Sequence, residues 1–260
     1  MEFLHNRRPA ATEAVERGLA WCHRNGIEAG VHAGDAPLAA GVDLLVAVGG
    51  DGTLLRAAQL LYPREIPVLA VHAGGLGFLS AGDARHIEHA LAGVVQGGFR
   101  IERRARIAAR GVGFNSTALN EVAFVGPAAE RFTELDIAVG GERALAVDGD
   151  GVVVSTPTGS TAYALAAGGP ILAPDVRAML VVPLAPHHLG LRPIVLPEEA
   201  TVSVRARGAV QVLADGDAVH TLRAGEVVQV TAAPASTVLV RLADTDSLFA
   251  RLRDRLGWPA

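Results

Sequence analysis

Residues 42–50, VDLLVAVGG, are apolar at all but one position before they end in a double glycine, and the segment TLLRAAQLLYP begins three positions later. A short run this apolar has no face suited to water, so as a strand it must be covered on both sides. The segment after it carries Leu54, Ala57, Ala58 and Leu61 at helical spacing and stops at Pro63. A doubly covered strand joined to a helix by a tight glycine turn is the repeating unit of a parallel α/β sheet.

The same texture continues on both sides of this unit. TEAVERGLAWCHRNG reads as a helix with Val15, Leu19 and Cys22 on one face and Gly26 at its end. IPVLAVHAGG reads as a second buried strand, and DARHIEHALAGVVQGG as a helix with Asp83 as N-cap. Beyond about residue 100 the pattern changes. ATVSVRAR alternates as a half-buried strand does, and Gly140-Gly141 sits between two strand-like runs as a two-residue hairpin turn. AVQVLADG, EVVQVTAA and TVLVRLA extend the series. The tail DSLFARLRDRLG returns to helical spacing, with Leu248, Phe249, Leu252 and Leu256 on one side.

These patterns predict a Rossmann-like parallel α/β domain over residues 1–100 and an all-β, sandwich-like domain over 101–243. The C-terminal helix, within 244–260, is expected to return to the first domain.

Composition narrows the chemistry. Half of the 260 residues are hydrophobic, enough for a sizeable core. All 23 basic side chains are arginine, which excludes both a lysine Schiff base and a P-loop lysine. The net charge is −4 and no arginine-rich tract stands out, so nucleic acid is not the expected partner. The single Cys22 rules out an intrachain disulfide and suits a reducing compartment. The opening MEFLHNRRPAATEA does not read as a signal peptide, and the apolar runs are too short to span a bilayer. The expectation is a soluble, cytoplasmic protein without a membrane partner.

Five segments carry candidate chemistry. In GGDGT, at 49–53, glycines let main-chain N–H groups approach an anion at a helix N-terminus. Asp51 within that loop serves either as a base beside an attacking hydroxyl or as a group that recruits Mg²⁺. A plain Asp-Gly turn with Thr53 capping the helix is the structural alternative. HAGGLGFLS, at 72–80, places a second glycine loop after the next strand, where α/β sheets hold ligands. VSTPTGSTAYALAAGGP, at 154–170, offers several hydroxyls around a turn, suited to ribose and amide groups. In ALNEVAF, Asn120 and Glu121 stand among apolar strand residues, so at least one is set inward and needs a partner. Asp148 and Asp150 in AVDGDGVVV share one face of a strand end, where paired acids hold a metal or a sugar hydroxyl. His187 and His188 lack the helical spacing of zinc ligands, and no G-x-S-x-G elbow is present.

Taken in order, GGDGT, GGLGFL, LNEV, DGVVVSTPTGSTAYALAAGGP and PHHLGLRPIVLP resemble the bacterial NAD kinases, from about residue 40 onward. GGDGT alone is shared with other kinases of small molecules and lipids, whereas TPTGSTAY followed by AGGP is far more specific. The resemblance implies phosphorylation of the 2′-hydroxyl of the adenosine ribose of NAD, with ATP or polyphosphate as donor and Mg²⁺ as cofactor. It implies Asp51 as proton acceptor, with Gly49, Gly50, Gly52 and Thr53 shaping the phosphate loop and Arg56 near the dinucleotide phosphates. Asn120 and Glu121 match the pair that contacts adenosine. Thr158, Thr161, Ala162, Tyr163 and Ala166 match the lining of the NAD site, Asp150 matches the acid before that strand, and Arg131 aligns by spacing. Asp148 and Asp217 stand at ligand-facing positions but depart from the family, which often shows a basic residue and Gln there. A homodimer or homotetramer, with the active site between the two domains, is also implied. A lipid or other small-molecule kinase, and a non-catalytic NAD(P) sensor, are the alternatives.

Overall fold

The computed structural model describes residues 1–34, 36–75, 77–127 and 132–259. The chain divides into two units, Met1–Arg103 with Thr237–Ala260, and Arg104–Ser236.

The first unit is a seven-stranded sheet. Its strands are β1 (Glu2–His5), β2 (Gly30–Val31), β3 (Leu45–Gly49), β4 (Val68–His72), β5 (Gly82–Asp83), β6 (Phe99–Arg104) and, far along the chain, Thr237–Leu242. The order is β2-β1-β3-β4, then Thr237–Leu242, then β6, with β5 alongside β4. Pairing is parallel from β2 through to Thr237–Leu242. The helices are α1 (Pro9–Arg24), α2 (Asp51–Leu61), α3 (Ile87–Val95) and a C-terminal helix, Leu248–Leu256. β3 is buried at every position, as its continuous apolar run requires. Val46 and Val48 pack in one core with Phe3 of β1, Ala14 and Val15 of α1 and Ile87 and Leu91 of α3. Asp83 accepts a hydrogen bond from the Arg85 N–H and so caps a short 3₁₀ turn that leads into α3.

Two features differ from the sequence reading. TVLVRLA, grouped by texture with the β-rich series, joins the parallel sheet, where all of Thr237–Leu242 is buried. In the C-terminal helix Leu252 is buried, but Phe249 is 65% exposed and Arg251 is buried instead. The physical reason is a carbonyl: the Arg251 guanidinium donates to Phe78 O, which turns the arginine face of the helix inward. Ser247 caps this helix through its hydroxyl, and Gly257 ends it in the left-handed region.

The second unit is all antiparallel, with two six-stranded sheets. One sheet contains β7 (Ile107–Gly111), β8 (Phe114–Ala118), β10 (Thr133–Val139), β11 (Glu142–Gly149), β15 (Val202–Ala206) and β18 (Val227–Ala232). The other contains β9 (Glu121–Val125), β12 (Gly151–Ser155), β13 (Ala178–Leu184), β14 (Ile194–Pro197), β16 (Val210–Ala214) and β17 (Asp217–Leu222). Gly140 and Gly141, both at positive φ, join β10 to β11 as expected. Side chains from both sheets, among them Ile107, Phe124, Leu135, Val152, Val204 and Val228, form one core. Val153, Leu180 and Val182 point the other way, under Ala164 of a short helix, α4 (Tyr163–Ala166). The motif that follows β12 is therefore folded back over its own sheet.

Candidate active site

In the first unit the GGDGT loop is the link between β3 and α2. Gly50 is the N-cap in extended conformation, and no side chain caps the helix. The Thr53 N–H donates to Gly50 O at 2.9 Å, and the Asp51 and Gly52 amides are left for another partner at the positive end of the helix. Asp51 is the first helical residue, and Thr53 lies inside the helix, so Thr53 is not the cap that the plain-turn alternative required. Thr53 packs instead on Gly49, where a Cβ would fall 2.2 Å from Thr53 Oγ1.

The Asp51 carboxylate turns toward the second glycine loop. Its Oδ2 accepts from the Phe78 N–H at 3.1 Å and its Oδ1 from the Leu79 N–H at 3.4 Å. Gly77 makes this approach possible, since a Cβ there would stand 2.1 Å from Asp51 Oδ1. The carbonyls of the same loop are held from below: Arg241 Nη1 donates to Leu79 O at 2.7 Å, and Arg251 to Phe78 O. Arg241 is itself paired with Glu102 at 2.7 Å. Burial, with the neighbouring Arg241 charge, pulls the Arg251 pKa down to about 10, so it remains a cation at neutral pH. Arg56 is exposed on α2, about 140° around the axis from Asp51, so the structure does not place the two side by side.

In the second unit the hydroxyl-rich turn and the Asn-Glu pair come together. Asn120 sits in a bend before β9, and only Glu121 is in the strand. The opposite-face argument for the pair therefore does not apply, and both side chains are buried. Thr158 is buried and its hydroxyl accepts from Arg104 at 3.2 Å. The Thr161 hydroxyl donates to Thr158 O at 3.2 Å, and Ala162 joins this turn to α4. Tyr163 is partly exposed at the start of α4, and Ala166 is exposed at its end.

Glu121 lies among acids. Burial, then the charge of Asp215, push its carboxyl up to about 7, although the Tyr163 N–H donates to it. Its Oε2 is buried without a hydrogen-bond partner among the described residues. Tyr163 is raised by burial and by the charges of Asp150 and Glu121. Glu121, Tyr163 and Asp150 thus form one electrostatic cluster.

Three other residues fall outside it. Asp148 belongs to β11 whereas Asp150 lies in the exposed bend that follows, so the two do not share a strand face. Gly149 and the turn into β12 separate them, and Asp148 Oδ2 faces His188 Nε2 at 3.8 Å. Asp217 is exposed at the start of β17. Arg131 lies outside the described residues.

The sequence reading missed Asp215, which accepts hydrogen bonds from three main-chain N–H groups around Asn120. The doublet Asp215-Gly216 signals a hairpin turn, but no spacing rule pairs it with residues nearly a hundred positions earlier. Ser155 and Thr156, two hydroxyls of the 154–170 segment, donate to main-chain carbonyls, Ser155 to Asn120 O and Thr156 to Leu119 O.

A parallel α/β unit opened by GGDGT, followed by an antiparallel unit bearing the hydroxyl-rich turn, defines a two-domain class of protein. Family models for the ATP-NAD kinase N-terminal and C-terminal domains match residues 9–99 and 119–242. The chain is 37% identical over 226 residues to an NAD kinase of Gemmatimonas aurantiaca, covering 84% of this chain and 78% of that one. It is 34% identical over 273 residues to that of Heliobacterium modesticaldum, covering 97% and 96%. Among solved structures it is similar to yeast NADH kinase complexed with NADH, at a TM-score of 0.89 and 26% identity, covering 100% of this chain and 87% of that one. It is also similar to an NAD kinase from Archaeoglobus fulgidus in complex with ATP, at a TM-score of 0.85 and 25% identity, covering 98% of each. The chain belongs to the NAD kinase family.

Proposed function

We infer that this protein phosphorylates NAD at the 2′-hydroxyl of its adenosine ribose, with ATP as donor, and releases NADP and ADP. The observation that carries the reading is the Asp51 carboxylate, held by two amides at the open end of α2. Each oxygen accepts one N–H, which leaves lone pairs for a proton. The 2′-hydroxyl proton passes to Asp51 as the oxygen attacks the γ-phosphorus, and the bond from that phosphorus to the β,γ-bridging oxygen breaks. The Asp51 and Gly52 amides at the start of α2 stabilise the phosphate charge without side-chain obstruction.

In the second unit, Asn120 and Glu121 receive the adenosine, and Thr158, Thr161, Ala162 and Tyr163 line the remainder of the NAD site. Asp150 faces a sugar hydroxyl, and Arg56 serves the phosphates. The relatives' names support NAD as acceptor, and the Archaeoglobus complex supports ATP as donor.

Among the described residues no group of three potential ligands forms a protein cage for a metal. Mg²⁺ needs none here, since it keeps water and binds through one or two carboxylates together with substrate phosphates. Asp51 has a lone pair to offer such a hydrated ion, so the loop fits it. When bound, Mg²⁺ neutralises the phosphate charge. A cytoplasmic location is carried over from the sequence reading, in which the single Cys22 suits a reducing compartment. A homodimer or homotetramer is carried over from the family resemblance, and light scattering on the purified chain measures it.

The test is product formation. Incubation with NAD and Mg²⁺, with either ATP or polyphosphate, should yield a product reduced by an NADP-specific dehydrogenase. Absence of that product with both donors overturns the reading.

A further inference from the structure

Residues 119–121 form the bend that carries Asn120 and Glu121 into β9, and each of their main-chain polar groups is bonded. The N–H groups of Leu119, Asn120 and Glu121 donate to the Asp215 carboxylate at 2.8, 2.7 and 3.3 Å. On the carbonyl side, Leu119 O accepts from Thr156 Oγ1 at 2.6 Å. Asn120 O accepts from Ser155 Oγ at 3.1 Å and from the Thr156 N–H at 2.8 Å. Glu121 O accepts from the Asp215 N–H at 3.0 Å. The main chain of this bend is therefore clamped from both sides.

The side chains are held by far less: the Glu121 carboxyl receives one N–H, from Tyr163. The Asn120 amide makes no hydrogen bond to another described residue, and Glu121 Oε2 is buried without one. An unbonded carboxamide beside a buried carboxyl whose pKa is raised to about 7 presents donors and acceptors to a purine edge. An Asn carboxamide in particular can pair with both N6 and N7 of adenine.

Asp215 is not explained as a turn residue alone. With Gly216 it forms the two-residue link from β16 to β17, both at positive φ, a turn that Asn or Gly would make equally well. An Asp serving only that turn would bond its own neighbours, yet this carboxylate bonds a segment nearly a hundred positions away. Only a carboxylate supplies two acceptor oxygens to three converging N–H groups. Its burial raises its own pKa, against the opposing effect of those N–H groups and of Arg106.

We propose that Asp215 is a positioning residue, whose carboxylate holds the Asn120–Glu121 main chain so that both side chains stand ready for the adenine of the dinucleotide. The proposal rests on the reading of the protein as an NAD kinase. Asp215→Asn keeps the shape and the turn but replaces one acceptor with an NH₂ group facing an N–H. In the full-length enzyme this should raise KM for NAD by about tenfold and leave KM for ATP within about twofold. The pH at which KM for NAD inflects should also move down, because a negative charge beside Glu121 is removed while Tyr163, Asp150 and Arg106 stay in place. An unchanged KM for NAD in a folded Asp215→Asn overturns the proposal, as does an equal rise for both substrates.

If Asp215→Asn does not fold, Thr156→Val removes the clamp on Leu119 O from the other side of the bend. It should reproduce the NAD-specific rise, and Thr156→Ser should restore the wild-type value. A wild-type KM in Thr156→Val overturns the proposal equally. Calorimetric NAD binding separates the two readings: no NADP from the wild type defeats the kinase reading, whereas equal NAD affinity of wild type and Asp215→Asn defeats the positioning role.

Discussion

A Cβ on Gly77 would stand 2.1 Å from Oδ1 of Asp51. The glycine of the second loop is thus what lets the carboxylate of the first accept from the Phe78 and Leu79 amides. Gly77→Ala forces the carboxylate or the loop to shift, and overpacking of this kind costs about 1–3 kcal/mol. The expected outcome is a stability loss of that size in denaturant melts, together with a fall in kcat larger than the change in KM for NAD. A Gly77→Ala enzyme with wild-type kcat would show that Asp51 needs no fixed orientation.

Glu121 links pH to stability. Its folded-state pKa of about 7 lies above the ordinary value of 4.5, so between those values the folded protein holds a proton that the unfolded chain has released. Its contribution to stability is full below about pH 4.5, declines as pH rises to 7, and is flat beyond. Glu121→Gln cannot ionise and should remove that part of the slope. Denaturant midpoints of both proteins between pH 5 and pH 8 measure it, and identical slopes would mean that Glu121 is ionised in the folded state.

Arg251 holds the other side of the Asp51 loop through Phe78 O, and its guanidinium is buried. Arg251→Met keeps the aliphatic packing but leaves that carbonyl without its donor, a loss of about 1–3 kcal/mol. Because Phe78 also donates to Asp51, kcat should fall along with the melting temperature. A loss of stability with unchanged kcat would confine Arg251 to a structural role.

How much of this was readable from residues alone depended on how local the cause is. β3 and β4 were legible because burial on both faces leaves a continuous apolar run, and the β10–β11 hairpin because only glycine takes positive φ without strain. β1 left no periodic signal of its own: Glu2–His5 is four residues long with only its central pair buried, too short for a period to register. The inward turn of Arg251 depends on a carbonyl 173 positions earlier, and the tail's own apolar spacing pointed to Phe249 instead. At the site, Asp51 was found through its glycines and Glu121 through its apolar neighbours. Asp215 escaped because its partners are main-chain amides, and those carry no signature in any side-chain pattern.

The central claim is that Asp51 takes the proton from the acceptor hydroxyl. The most direct measurement compares turnover and NAD affinity of the wild type with Asp51→Asn, which keeps the size of the side chain and an acceptor oxygen but no usable basicity. A general base contributes about 10²–10⁴ in rate, so kcat should fall by that factor while the dissociation constant for NAD changes by no more than about threefold. Full turnover by Asp51→Asn would contradict the account.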